Sequence, residues 1–230
     1  RVGHPMSLSI AGAESNVAVG LARLGHSVAW IGRVGRDPVG ELVLRELRGE
    51  GVDTRWTRID EVAATGLMIK VHRTGALSQV TYARTASAGS RLSGDDIPAD
   101  AIAAARMLHL TGITPALSDS AREAVHTAVE AASAADVPVS LDLNYRAALW
   151  SRADAAVVLR ELVRASQIVF ASEHETGLIT NSSDPLTAAR EIAAIGPSVV
   201  VIKRGDAGYV ALIAGRSYVG AAKRVPLVDP

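Results

Sequence analysis

From residue 98 onward, segments of helical periodicity alternate with short apolar runs, and this alternation constrains the fold more than any other feature. The predicted helices cover residues 98–105, 118–135, 151–165, 173–179 and 184–195. The predicted strands between and after them cover residues 107–111, 137–143, 167–171 and 198–203. A hairpin turned at Ala214 and Gly215 follows. Strands separated by helices of this length form right-handed βαβ units, so the pattern predicts an α/β fold with a mostly parallel sheet.

The first hundred residues show a different pattern. Residues 6–10 alternate enough to predict a short strand, and Val28–Ile31 predicts a buried one. A helix follows the first strand, with Ser15 or Asn16 as its N-cap and Gly25 just past its end. Residues 66–84 alternate around the turn Arg73–Ala76, which predicts an antiparallel hairpin. Because two strands cannot bury both faces alone, we expect this hairpin to join residues 6–10 in a small separate sheet.

Composition excludes several classes of partner. Lys plus Arg and Asp plus Glu both number 24, so the balanced charge predicts no binding to nucleic acid or to an anionic membrane surface. No run of about 18 apolar residues predicts a membrane span. The absence of cysteine fits a reducing environment, and we predict a cytoplasmic location.

Polar residues gather where the strand over 137–143 ends. Asp142, Asn144 and Arg146 lie two residues apart, so in an extended chain their side chains would point the same way. The carboxyl ends of parallel strands are where α/β sheets bind ligands, and an Arg fork suits a phosphate or a carboxylate. A cluster that only caps the next helix and pairs internally explains the pattern equally well.

Three further patterns each have a functional and a structural interpretation. The turn Lys203–Gly208 follows a buried strand and could bind phosphate through two cations and the glycines, but a tight β-turn also explains it. Glu173 and Glu175 could orient water on Mg²⁺ or simply stabilise a helix N-terminus. Tyr82 and Arg84 share one face of the hairpin, as a binding pair or as a solvated cross-strand pair.

Taken in order, these motifs resemble the ribokinase-like (PfkB) carbohydrate kinases. The resemblance lies in five segments spread over nearly the whole chain, which are Ala11–Ala18, Gly32–Gly40, Gly51–Thr54, Asp142–Arg146 and Lys203–Gly208. Within the family, three details are similar to the 2-keto-3-deoxygluconate kinases, namely Tyr82-Ala83-Arg84 with Ser87-Ala88, Asp142–Arg146 with Leu149-Trp150, and Ser172–Glu175. The resemblance implies a three-layer α/β/α domain over residues 1–230, with residues 6–10 and 66–84 as a small antiparallel lid.

It also implies ATP-dependent phosphorylation of a sugar hydroxyl, with ATP and Mg²⁺ as cofactors. On the substrate side, it assigns sugar hydroxyls to Gly12, Ala13 and Asn16, a sugar acid to Tyr82 and Arg84, and the substrate carboxylate or the transferring phosphate to Arg146. On the nucleotide side, it assigns Asn144, Ser172, Lys203, Gly205, Gly208 and Tyr209. Glu175 would meet the metal through water. Relatives often have a second Tyr at Ala83 and an Asp at Arg36, and neither difference removes a contact.

The family's catalytic base is an Asp in a Gly-Ala-Gly-Asp turn, which would follow a segment like Leu227–Pro230. We therefore expect that base beyond Pro230, a chain truncated at both ends, and little or no activity from these 230 residues alone. Two alternatives remain open, a neutral-sugar kinase such as a fructokinase and a non-catalytic sugar-binding relative. The apolar residues of the lid would also permit a homo-oligomer.

Overall fold

Strands and helices follow one another through most of the chain, in a computed structural model that describes residues 6–72, 78–223 and 225. The helices are α1 (Ala13–Arg23), α2 (Pro38–Gly49), α3 (Ala99–Ala103), α4 (Asp119–Ala134), α5 (Arg152–Arg164), α6 (Glu173–Thr176) and α7 (Pro185–Ala193). The strands are β1 (Gly32–Gly35), β2 (Thr57–Asp60), β3 (Leu67–His72), β4 (Ser78–Ala83), β5 (Leu108–Thr111), β6 (Val139–Asp142), β7 (Ile168–Ser172), β8 (Val199–Lys203), β9 (Tyr209–Ile213) and β10 (Arg216–Gly220).

Contacts along the backbone divide the chain into two compact units. The first unit is Arg1–Pro98 with Leu117–Ala124, and the second unit is Ala99–Ala116 with Val125–Pro230. The interpretation of residues 1–230 as one ribokinase-like domain stays a prediction.

The second unit contains a six-stranded sheet in the order β10-β9-β8-β7-β6-β5. Strands β5 to β8 are parallel neighbours, whereas β9 runs antiparallel to β8 and β10 antiparallel to β9. This arrangement confirms the predicted α/β class and its mostly parallel sheet. The two-residue turn between β9 and β10 has positive φ at Ala214 (47°) and Gly215 (80°).

The core of the second unit lies between its central strands and two helices. Val169 and Val200 on neighbouring strands are 0% exposed, as are Leu159 on α5 and Ile192 on α7, and all four belong to one apolar cluster. Period-two apolar residues of the strands thus meet the apolar stripe of each helix, as the sequence pattern requires. Burial of these side chains holds the carboxyl ends of β6, β7 and β8 side by side.

The first unit contains a parallel pair, β1 with β2, and a separate antiparallel pair, β3 with β4. The predicted hairpin over residues 66–84 is confirmed, with Leu67 opposite Ala83 and Met68 opposite Tyr82. Its predicted turn, Arg73–Ala76, lies outside the described residues. A small core of Ala18, Leu47 and Val52 packs beneath α1 and α2.

Two strand predictions in this unit are wrong. Residues 6–10 form no strand, and Met6 and Leu8 are 81% and 61% exposed, so the alternation buries neither of them. The strand predicted at Val28–Ile31 begins instead at Gly32, and only Ala29 forms an isolated bridge, to Asp53. The partner strand β2 has the polar sequence Thr-Arg-Ile-Asp, which gives no apolar signal from which the pairing could be predicted.

Side-chain caps begin several helices. Asp37, Ser151 and Asp184 each accept a backbone N–H in the first turn of α2, α5 and α7. Helix α1 differs, because its N-cap is Gly12 and no side chain caps it, so the prediction of Ser15 or Asn16 is wrong. Gly25 follows the end of α1 with φ of 84°, as predicted. Among the described residues, no helix combines the length and the apolar character needed to cross a membrane.

Candidate functional site

Charged and polar side chains meet at the carboxyl edge of β6, β7 and β8. These strands end at Asp142, Ser172 and Lys203, and Ser172 pairs in register with Lys203. The Lys203 Nζ donates to both carboxylate oxygens of Asp142 at 2.8 and 2.6 Å, although β7 lies between their strands. The sequence predicted Lys203 on the nucleotide side but did not predict this partner, because strand order was needed to bring the two together.

Glu175 ties two strand ends together. Its Oε2 accepts the backbone N–H of Ser172 at 2.7 Å, and its Oε1 accepts that of Tyr145 at 2.9 Å. Ser172 and Glu175 form a capping box at α6, a motif visible in the sequence as Ser-x-x-Glu. Both oxygens therefore already have a structural partner, which favours the helix-terminus interpretation, and metal contact through water stays a prediction.

The chain leaves the extended conformation within the Asp142–Arg146 segment. Strand β6 ends at Asp142, and Asn144 has a left-handed φ of 37°. The expectation that Asp142, Asn144 and Arg146 point the same way is therefore wrong, since it required an extended chain. Non-glycine residues with positive φ are uncommon and cluster at functional sites. Arg146 is exposed, and its guanidinium bonds to no other described residue.

The turn after β8 has two glycines with different surroundings. Gly205 has φ of 57°, and a Cβ built there meets nothing within 4 Å. Gly208 has φ of 87°, and its Cβ would lie 1.9 Å from the carbonyl oxygen of Gly220. Close strand packing therefore explains Gly208, while the backbone at Gly205 is open to an approaching ligand. Beside the turn, the Arg204 Nε donates to Glu173 at 2.7 Å, and Tyr209 is 44% exposed.

Apart from Arg146, the predicted sugar-side residues lie in two places in the first unit. Gly12, Ala13 and Asn16 lie at the start of α1, where the Asn16 N–H donates to the Gly12 carbonyl at 2.9 Å. Asn16 also lines an open cavity of ≈ 360 Å³, beside the paired Arg23 and Glu50.

The second sugar-side place is the hairpin β3–β4. Tyr82 lies on β4 and is 46% exposed, and Arg84 follows the end of that strand. The Arg84 guanidinium carbon lies 4.1 Å from the centroid of the Tyr82 ring, which is cation–π geometry. The predicted pairing of these two side chains is thus present, and Arg84 has no acidic partner among the residues that the structure describes.

Two buried or half-buried carboxylates in the first unit have lowered pKa values. Backbone N–H groups of Ala63 and Val62, together with Arg33, lower the pKa of Asp60 to about 2. Burial raises the pKa of Asp37, but hydrogen bonds from Thr65 and Gly40 outweigh that effect and lower it overall. Both carboxylates are therefore ionised at neutral pH and serve as acceptors for the loops around β1 and β2.

No cluster of three or more acidic or histidine side chains that could hold a metal ion occurs among the described residues. A dedicated protein cage for Mg²⁺ is thus missing from that part of the chain. Mg²⁺ usually keeps several waters and binds through one or two carboxylates plus substrate phosphates.

The sequence is similar to one protein family and to enzymes of known activity within it. The sequence profile of the pfkB family of carbohydrate kinases matches residues 3–230. A 2-dehydro-3-deoxygluconokinase from Bacillus subtilis (strain 168) is 37% identical over 204 residues, which are 88% of this chain and 63% of that protein. The chain therefore spans less than two thirds of the length of this relative.

Two crystal structures show the same architecture. A PfkB protein from Polaromonas sp. JS666 matches with a TM-score of 0.89 and 33% identity, over 94% of this chain and 73% of that one. A fructokinase from Vibrio cholerae O395, in its fructose, ADP and calcium ion bound form, matches with a TM-score of 0.80 and 26% identity, over 94% and 70%. These matches confirm the ribokinase-like fold, and the chain belongs to the pfkB family of carbohydrate kinases.

Proposed function

We propose that the protein is an ATP-dependent kinase that phosphorylates 2-keto-3-deoxygluconate, also called 2-dehydro-3-deoxygluconate, on its 6-hydroxyl. The observation that carries the proposal is the 37% identity to a 2-dehydro-3-deoxygluconokinase over most of the chain. Two arginines without acidic partners among the described residues, Arg84 and Arg146, agree with a substrate that carries a carboxylate and receives a phosphoryl group.

On the sugar side, we assign hydroxyl contacts to Gly12, Ala13 and Asn16 at the start of α1. Tyr82 offers an aromatic face and a hydroxyl, and Arg84 offers the cation for the carboxylate. The Tyr82 ring holds the guanidinium at 4.1 Å, which reduces the conformational entropy that Arg84 would lose on binding. Arg146 would meet the carboxylate or the transferring phosphate.

On the nucleotide side, we assign Asn144, Ser172, Lys203, Gly205, Gly208 and Tyr209. Open space above Gly205 supports a backbone contact with phosphate, and Lys203 supplies a positive charge that Asp142 balances. The relative from Vibrio cholerae was crystallised with a nucleotide and a divalent ion, which supports the same class of ligand here. We assign Mg²⁺ to the nucleotide phosphates, with Glu175 acting through water.

In the reaction, the oxygen of the sugar hydroxyl attacks the γ-phosphorus, the bond from that phosphorus to the β–γ bridging oxygen breaks, and the hydroxyl proton passes to a base. Such transfers depend mostly on positioning and on stabilising charge. Arg146 and Lys203 would supply part of that charge. The identity of the base remains a prediction from the resemblance.

Two accompanying proposals concern the setting of the enzyme. We propose a cytoplasmic location, where ATP and a reducing environment are both available. We also propose a homo-oligomer formed through the hairpin β3–β4, because Leu67, Ile69 and Val71 line one of its faces and are 37%, 41% and 47% exposed.

The test is an assay of ADP release by the protein encoded by the full gene, with 2-keto-3-deoxygluconate, fructose and ribose as acceptors. We expect the highest kcat/KM for the sugar acid. Arg84→Ala should raise the KM for the sugar acid about 10-fold to 100-fold, because a charged hydrogen bond is lost. The KM for ATP should stay unchanged.

Arg84→Lys is the matched control, since it keeps the charge but loses the fork that pairs with a carboxylate. We expect its KM to fall between those of the wild type and Arg84→Ala. Equal or better use of fructose, with no effect of Arg84→Ala, would replace the sugar acid by a neutral sugar. Binding of sugar without any phosphorylated product would identify a non-catalytic relative.

A further inference from the structure

The residue that leads into the hairpin β3–β4 is held by several hydrogen bonds. Thr65, two residues before β3, donates its backbone N–H to the Asp37 Oδ2 at 2.7 Å and its hydroxyl to the Asp37 Oδ1 at 2.9 Å. The same hydroxyl accepts the backbone N–H of Gly35, the last residue of β1, at 2.9 Å. Asp37 Oδ1 also accepts the N–H of Gly40 at 2.7 Å and so caps α2.

This cluster is packed too closely to rearrange freely. A Cβ at Gly35 would lie 2.5 Å from the Asp37 Oδ2 and 2.8 Å from the Thr65 nitrogen. A Cβ at Gly40 would lie 2.3 Å from the Gly35 carbonyl oxygen and 2.9 Å from the Thr65 hydroxyl. Two glycines therefore make room for the contact between Asp37 and Thr65, and we call these four residues the root cluster.

The exit of the hairpin is held next to the entrance. The N–H of Ala88 donates to the carbonyl of Ala64 at 2.8 Å, so the chain returns to the residue before Thr65. Between the two lie Gly66, whose Cβ direction faces Arg84 and Ser87, and Ala86, which has a left-handed φ of 54°. Both ends of the hairpin are thus fixed within a few residues of one another.

Beyond this point the described part of the hairpin has little support. Side chains on both faces are partly exposed, with Ile69 at 41% on one face and Met68 at 42% and Val80 at 40% on the other. Within one chain, the position of Tyr82 and Arg84 is therefore determined mainly where the hairpin begins and ends. Hydrogen bonds at the root of the hairpin can therefore fix the position of these two side chains.

We propose that Asp37 and Thr65 are positioning residues, which fix the root of β3–β4 and thereby set where Tyr82 and Arg84 meet the sugar acid. The identity of that ligand rests on the proposed function. Asp37 serves two elements at once, because one carboxylate caps α2 and anchors the hairpin. A substitution at Thr65 can remove the hydroxyl contact to Asp37 while Asp37 still caps α2.

The test compares Thr65→Val with Thr57→Val. Valine has nearly the shape of threonine but lacks the hydroxyl, so Thr65→Val removes the bonds to Gly35 and to the Asp37 Oδ1. Thr57 lies on β2 in the same unit, and its buried hydroxyl has no hydrogen-bond partner among the described residues. Thr65→Ser, which restores the hydroxyl, is the rescue variant.

Two measurements are made on the protein encoded by the full gene. Hydrogen–deuterium exchange of the backbone amides in β3 and β4 should become about 5-fold faster in Thr65→Val, because a net hydrogen bond is lost. Exchange in α2 and in β1 should stay unchanged, apart from the Gly35 amide, which loses its own acceptor. The KM for the sugar acid should rise by a similar factor, with kcat and the KM for ATP within about twofold of the wild type. Thr57→Val and Thr65→Ser should match the wild type.

A second pair of variants tests Asp37 itself. Asn caps helices as well as Asp, so Asp37→Asn retains an acceptor for Gly40 but turns an N–H group toward the N–H of Thr65. Asp184→Asn is the control. The Asp184 carboxylate caps α7, and among the described backbone N–H groups it accepts only that of Thr187. We expect faster exchange in β3 and β4 for Asp37→Asn and no change there for Asp184→Asn.

Unchanged exchange in the hairpin of Thr65→Val and Asp37→Asn would overturn the proposal. Equal acceleration in β1, α2 and the hairpin would also overturn it, because that result describes general destabilisation. Failure of the wild type to phosphorylate the sugar acid would overturn the proposed function alone, and the exchange measurement would still decide whether Asp37 and Thr65 hold the hairpin.

Discussion

Strands β8 and β3 are similarly apolar, yet the structure surrounds them differently. Val200 and Ile202 of β8 are 0% exposed between neighbouring strands and helices, whereas Leu67 and Ile69 of β3 are 37% and 41% exposed in a two-stranded pair. Side-chain type therefore does not decide how much a strand contributes to stability. That contribution depends on how many layers of structure pack around the strand.

The two regions also differ in how their candidate ligand residues are held. At the edge of β6–β8, ion pairs and the Glu175 carboxylate link neighbouring strand ends whose positions the core already determines. On the hairpin, Tyr82 and Arg84 rely on the root cluster. The first region is suited to a site that keeps one shape, and the second to one that adjusts to its ligand.

The largest expected effect tests the difference in burial. Leu159→Ala, in the core beneath the central sheet, should lower the free energy of unfolding by about 2–5 kcal/mol. Val80→Ala, on the hairpin face opposite the proposed oligomer interface, should lower it by less than about 1 kcal/mol, because the side chain is already partly in water. Urea denaturation followed by circular dichroism measures both. Equal losses would contradict the comparison.

The next effect separates the two glycines of the turn after β8. Gly208→Ala should lower the free energy of unfolding by about 2 kcal/mol or more, since its Cβ would overlap the Gly220 carbonyl in addition to the strained φ. Gly205→Ala faces open space and should cost about 1 kcal/mol for the left-handed φ alone. Thermal unfolding of the two variants checks the order. A larger loss for Gly205→Ala would be inconsistent with the packing described.

Acid should affect the loops of the first unit through Asp60. Because its folded pKa of about 2 lies below its ordinary value of 3.8, the folded state binds fewer protons, and the carboxylate stabilises the fold above pH 3.8. That stabilisation is lost as the pH falls from 3.8 toward about 2. Urea denaturation at a series of pH values should show a shallower acid loss for Asp60→Asn. An identical pH dependence in the two proteins would rule out this carboxylate as the cause.

The smallest effect concerns the ion pair at the sheet edge. Asp142→Asn should change the free energy of unfolding by less than about 1 kcal/mol, because Lys203 is 45% exposed and water screens the pair. A double-mutant cycle with Lys203→Met isolates the coupling. A coupling well above 1 kcal/mol would show that this edge depends on its charges as strongly as the hairpin depends on its root.

Most elements of the second unit could be predicted from the sequence to within a few residues. Periodicity is strong there because each strand and each helix buries one clear apolar set, as in Val199–Lys203 and Arg152–Arg164. The first unit was harder to predict. The pairing of β1 with the polar β2 has no local signal, and the alternation at residues 6–10 is not accompanied by burial.

The candidate site shows the same division. Residue types at strand ends indicated Lys203 and Glu175, since position along the chain is enough to identify a strand end. Their partners, Asp142 for Lys203 and the Tyr145 N–H for Glu175, depend on which strands are neighbours. The contact between Asp37 and Thr65 joins residues 28 positions apart in different elements, and no sequence spacing indicates it.

The turn between β9 and β10 offers a way to strengthen the protein away from its candidate ligand residues. With positive φ at both Ala214 and Gly215, it has the backbone of a type I′ turn, whose preferred first residue is Asn. Alanine tolerates this conformation at a cost of roughly 1 kcal/mol. Ala214→Asn is accordingly a natural first step in engineering a more heat-resistant form for crystallisation.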